Sequence, residues 1–160
     1  MISVAYWILW LILIIPWLSL FFMNKYTTRR FMPVAILASL LVTIVFEMAY
    51  TFNWWTVEKA ILPWGHITSI PLTYGVFLIG TIWIFHFTFD RSFWVYLIVN
   101  LLTDAIYSFI ILHILIQFGI YELHDVKTFG IFVLMTIISL IIYVYQKWQD
   151  EVMMIKGKTK

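Results

Sequence analysis

"YLIVNLLTDAIYSFI" (96–110) is apolar throughout except where Asn100, Thr103, Asp104 and Ser108 interrupt it. The apolar residues run continuously instead of alternating, so the stretch reads as a helix in a bilayer and not as a barrel strand. Extended to its polar limits it covers about residues 92–118, more than the ~20 residues that cross a ~30 Å hydrocarbon core. The rest of the chain repeats this texture. Of the 160 residues, 64% are hydrophobic and 11% charged, against about 25% charged in a soluble domain.

Four further spans are expected, at about 2–23, 31–52, 70–89 and 129–145. The chain is therefore expected to be all-α, an integral membrane bundle of five transmembrane helices. The connections are short, so residues 1–160 make one membrane domain, with 146–160 as a cytoplasmic basic tail, solvated and frayed. The first span lacks a preceding basic residue and a small-residue cleavage site, which sets it apart from a cleavable signal peptide. With the N-terminus outside, the inner side holds Lys25, Arg29, Arg30, Arg91, Lys147, Lys156, Lys158 and Lys160, and the outer side only Lys59 and Lys127. Eight against two follows the positive-inside rule and gives N-out, C-in.

The turn "FDRSF" (89–93) is short enough to make spans three and four antiparallel neighbours, with Asp90 or Ser92 capping the latter. The outer segment 53–69 carries Trp54, Trp55 and Trp64, which suit the headgroup boundary. It is expected to hold a short interfacial helix capped by Thr56, or else a re-entrant loop. Pro71 fits the first turn of span three, and Gly75 and Gly80 are candidates for close helix contact.

Function has to be sought among the polar residues inside the spans. Asp104 lies ~18 Å from the inner end of its helix, near the midplane. Asn100, Asp104 and Ser108 recur at i, i+4 and share a face, flanked by Thr103 and Tyr107. Glu47 in span two is the other deep acid, expected ~6 Å from Asp104 in depth. No Lys or Arg inside the spans pairs with either. A membrane acid without a counter-charge is either neutral and hydrogen-bonded to a neighbouring helix, or it faces a wet cavity that admits a proton or cation. In the second case Glu47 and Asp104 bind the ion, with Asn100, Ser108 and Thr103 as further oxygens.

Other chemistry finds little support. There is no cysteine, hence no disulfide or thiolate metal site, and the net charge of +2 does not suggest nucleic acid. His86 and His113 fall at opposite depths and cannot share a metal, and no H-E-x-x-H, G-x-S-x-G or P-loop pattern occurs. No catalytic residue, metal or cofactor is expected.

The stretches "YTTRRFMPVAILASLL" (26–41) and "PWGHITSIPLTYGVFLIGT" (63–81) combine a basic pair entering a span with a deep acid and a Trp/His loop entering a Pro-started span. In this the chain resembles the small, uncharacterised multi-pass membrane proteins of spore-forming Gram-positive bacteria. The resemblance implies a plasma-membrane location and no active residues.

Three readings follow. The first is a non-enzymatic membrane protein acting through self-association or a membrane protein partner. The second is a small proton- or cation-coupled carrier, working as an oligomer, with Glu47 and Asp104 as coupling acids. The third is an intramembrane lipid-modifying enzyme, which requires an acid–base pair near a headgroup.

Overall fold

The computed structural model describes residues 4–158; the expected start of the first span at Ile2 and the last residues of the tail lie outside them. Helix α1 (Val4–Ser19) runs into a 3₁₀ turn at Leu20–Phe22, and α2 spans Lys25–Thr51. Strand β1 (Trp55–Val57) follows, then a π-helical stretch, Leu72–Phe77, that continues as α3 (Leu78–Thr88). Next come α4 (Phe93–Ile106), a second π-helical stretch at Tyr107–Ile111, and α5 (Leu112–Gln117), which together form one rod. Strand β2 (Tyr121–Leu123) and the long α6 (Thr128–Lys158) complete the chain. Four of these helical rods are long and apolar enough to cross a membrane, and the fifth, Leu72–Thr88, is shorter.

α2 packs on α3 and α6, and α4 packs on α3 and α6. α1 lies outside this group, against the π-helical start of α3. Small buried residues on α2, Ala35, Ala38, Ser39 and Ala49, let its neighbours approach closely. Such approach matters because lipid tails are as apolar as the helices, leaving packing and hydrogen bonds to drive association.

The segment 53–69 contains no helix, which corrects the expected interfacial helix, and Thr56 is a strand residue instead of a cap. Its backbone pairs antiparallel with β2, in the register Trp55↔Leu123, Thr56↔Glu122 and Val57↔Tyr121. The physical cause lies in two matching helix ends. At the end of α2, Trp54 N–H donates to Ala49 O (2.8 Å) and Asn53, at φ 54°, donates to Tyr50 O. At the end of α5, Ile120 N–H donates to Leu115 O (3.0 Å) and Gly119, at φ 64°, to Ile116 O (2.8 Å). Both are Schellman ends, in which a left-handed residue turns the chain and satisfies the last carbonyls. Each launches a strand at the same level, and the strands meet. Gly119→Ala and Asn53→Val are each expected to lose about 1–2 kcal/mol of stability from left-handed strain, while Asn53→Gly is tolerated; thermal unfolding of the purified variants tests the contrast.

The opposite end is tied by side chains. Asn24 caps α2 by accepting from Tyr26 N–H (2.9 Å), so the helix starts at Lys25, not 31, and Arg30 lies in its second turn. Arg30 donates to both oxygens of Asp90 (3.0 and 2.9 Å) and to Asp150 (2.6 Å). Gln146 donates to Asp150 (2.8 Å), and Gln149 to the Arg30 carbonyl (3.0 Å). These contacts hold α6 as far as Asp150 against α2 and the α3–α4 turn. The fifth helix therefore continues well past 145, correcting the expected frayed tail. Ser92 accepts from Val95 N–H and caps α4.

Candidate functional site: a cavity around Asp104

Two apolar cores fill the bundle. One lies under the sheet, around Phe46, Trp55, Tyr107 and Tyr121, and the other near the Arg30 clamp, around Phe31, Phe85, Tyr96 and Tyr143. Between them α3 and α4 part around a cavity of about 200 Å³. Its walls are Val76, Phe77, Gly80, Thr81 and Ile84 on one side, and Asn100, Thr103, Asp104 and Tyr107 on the other; Ala38 and Val42 of α2 and Met135, Ile138 and Ser139 of α6 form the back. Thr103 and Ile106, which also line it, face outward, so the cavity reaches the flank of the bundle between α3 and α4. A methyl group built on Gly80 would meet nothing within 4 Å, which locates Gly80 beside open space.

Asp104 is only 6% exposed, and its Oδ2 is buried without a hydrogen-bond partner. Asn100 and Ser108 are buried on the same face of the rod. Asn100 Nδ2 donates back to Tyr96 O (2.9 Å), Thr103 Oγ1 to Val99 O (2.8 Å) and Thr81 Oγ1 to Phe77 O (2.7 Å). On α6, Ser139 Oγ donates to Thr136 O (2.8 Å). Ser108 does not line the cavity; its hydroxyl faces Met135 Sδ (3.7 Å).

Glu47 stands elsewhere. It faces outward from α2 and is absent from the cavity wall. The sheet holds the ends of α2 and α5 level, with Glu47 one turn short of Thr51 and Asp104 more than three turns short of Gln117. At 1.5 Å per residue the two acids differ by about 14 Å in depth, not ~6 Å. The expected start of span two at 31, with no account of the sheet, produced the smaller figure. His113 also faces outward. Among the described residues no group of three His, Cys, Asp or Glu residues is placed to hold a metal.

A second, smaller cavity of about 50 Å³ lies beneath the sheet, lined by Val42, Phe46, Trp55, Leu112, Tyr121 and Ile131 among others. Phe77 and Tyr107 line both cavities, and their rings meet edge-to-face at 5.2 Å. Each belongs to a π-helical stretch, whose extra residue per turn shifts the phase of the side chains that follow. Tyr121 keeps its proton, since burial pushes its hydroxyl well above the usual tyrosine range.

The sequence pointed to Asn100, Thr103 and Asp104 but not to Thr81, Phe77 or Ser139, and Gly80, expected at a close helix contact, lies beside open space instead. Thr81 and Gly80 sit in "FLIGTIW" (77–83), where one small and one hydroxyl residue in an apolar run is the only sign. No protein-family model matches the chain, and no curated protein or solved structure matches it significantly.

Proposed function

We propose that the chain is a five-pass protein of the cell membrane, N-terminus outside and C-terminus inside, that binds a proton or cation at Asp104 as the coupling step of a small carrier. On this reading the rod Leu72–Thr88 is the third pass, and the Arg30 clamp lies at the cytoplasmic surface. The supporting observation is Asp104, nearly buried in the wall of a cavity that reaches the bundle flank, with an Oδ2 that has no hydrogen-bond partner. A carboxyl serving as interhelical glue uses its oxygens on a neighbouring helix, whereas Asp104 lines the cavity and its enclosed Oδ2 bonds to no other helix. Glu47 drops out of the coupling role because of its depth and outward orientation.

The test is thermal unfolding of the purified protein across a pH series and a panel of inorganic cations. A ligand at ~100 times its Kd adds ~2.7 kcal/mol of stability. One ion, or protonation, is expected to raise the unfolding temperature of the parent and of Glu47→Gln but not of Asp104→Asn. Equal responses of the parent and Asp104→Asn would overturn the assignment.

A second reading, association within the membrane, draws on the outward-facing Glu47, Tyr50 and Thr51 on one flank of α2. It predicts that Glu47→Leu changes the oligomeric state in detergent while Asp104→Asn does not.

A further inference from the structure

The hydrogen-bonding character of the Asp104 cavity defines its ligand more narrowly than "a cation". Thr81, Thr103 and Ser139 each donate their hydroxyl proton to a carbonyl of their own helix, at 2.7 to 2.8 Å. Asn100 donates its amide to Tyr96 O in the same way. The three hydroxyl donors are thus engaged, which leaves their oxygens to accept, while Asn100 keeps a second amide N–H and Tyr107 its phenolic proton. Asp104 adds the one carboxyl of the lining. The other titratable group in the lining is Tyr107, and no charged group from α2, α3 or α6 lines the cavity. A wall whose one carboxyl stands among hydroxyl oxygens left to accept suits a cationic donor, and an ammonium group is such a ligand, with up to three N–H donors.

The rest of the wall argues against a bare metal ion. Hard divalent cations take six to eight oxygens in a compact shell, while this wall is mostly apolar, with Val76, Ile84, Met135 and Ile138 facing the same space. Such a surface accommodates a hydrocarbon body. The outward-facing Thr103 and Ile106 at the mouth, with Gly80 leaving a gap opposite, let such a body enter from among the lipid tails. The volume of about 200 Å³ falls below the ~300–1,000 Å³ of drug-sized sites, which limits the ligand to one ring or a short alkyl chain.

We infer that this cavity binds a small hydrophobic amine in its ammonium form, entering from the bilayer between α3 and α4. Its nitrogen pairs with Asp104, and its apolar body lies against the Phe77–Tyr107 pair. This rests on the Asp104 reading above and names its ligand class.

The test compares three probes on the purified protein by thermal unfolding and titration calorimetry: phenethylammonium, the neutral phenethyl alcohol of the same shape, and tetramethylammonium, which has charge without a long apolar body. Phenethylammonium is expected to act at a concentration at least tenfold below either of the others. Asp104→Asn should erase its advantage over the alcohol, and Gly80→Leu, which fills the mouth, should weaken both aromatic probes at least tenfold. Glu47→Gln, whose carboxyl lies outside the cavity, is expected to bind all three probes as the parent does, and an unchanged unfolding temperature of ligand-free Gly80→Leu shows that its fold is kept. Equal potency of the amine and the alcohol would overturn the inference, as would an amine preference that survives Asp104→Asn. If inorganic cations or protons stabilise the parent through Asp104 while phenethylammonium does not, the amine inference fails and the coupling site stands. If nothing acts through Asp104, both fail.

Discussion

Arg30→Gln is expected to destabilise the protein by about 2–3 kcal/mol and to release the end of α6. Arg30 joins three parts of the chain, pairing with Asp90 in the α3–α4 turn and Asp150 on α6 while standing on α2. Its guanidinium also lies over the rings of Phe31 (4.9 Å) and Phe89 (5.4 Å), where cation–π attraction adds to the ion pairs. The two pairs do not weigh equally. Asp90 is 67% exposed, and exposed pairs contribute about 0–1 kcal/mol. Asp150 is 18% exposed and Arg30 20%, so loss of the arginine leaves a mostly buried carboxylate uncompensated. A fully buried pair broken this way costs about 3–5 kcal/mol; partial solvation lowers the expectation here. Asp90→Asn should therefore cost at most about 1 kcal/mol, with Asp150→Asn intermediate. Thermal unfolding orders the three, and hydrogen exchange over residues 146–153 should rise in Arg30→Gln alone. A loss below 1 kcal/mol for Arg30→Gln would reduce the clamp to a surface ion pair.

Gly75→Ala is expected to cost about 1–3 kcal/mol and to displace α1. The added Cβ would lie 2.6 Å from Ile12 O and 3.0 Å from Leu13 Cα. Both are backbone atoms, so no rotamer change relieves the clash, and overpacking of this kind costs about 1–3 kcal/mol. Two hydrogen bonds depend on the same approach. Trp17 Nε1 donates to Tyr74 O (2.9 Å), and Trp83 Nε1 donates to Ser19 Oγ (2.8 Å). Among the described residues α1 fully buries Ala5 and Leu9, with Ile8 and Ile12 partly buried against the core. Faster hydrogen exchange across Val4–Ser19, with the remaining helices unchanged, is the expected signature. Gly80→Ala provides the contrast one helix turn away: with nothing in its path it should be neutral or stabilising by up to about 1 kcal/mol. Equal losses at the two glycines would mean that α1 is not seated on Gly75.

The membrane class of this protein is legible in its composition, because twenty-residue apolar runs have few other uses. The sequence also located the helical rods to within a few residues, except where polar residues continue a helix. Lys25–Arg30 and Gln146–Asp150 look like loop and tail by composition, yet capping by Asn24 and docking on Arg30 make them helical. The i, i+4 spacing of Asn100, Asp104 and Ser108 foretold a shared face, since helical periodicity is local. Pairings between distant segments were not legible. The two short strands form only because two helix ends come to one level, and three-residue strands leave almost no periodic signal. The separation of Glu47 from Asp104 follows from that same levelling, and the π-helical stretches that aim Phe77 and Tyr107 at each other have no compositional mark. Which polar residue faces a cavity and which faces outward depends on where α3 and α4 part, and that separation is set by the packing of all the neighbouring helices together.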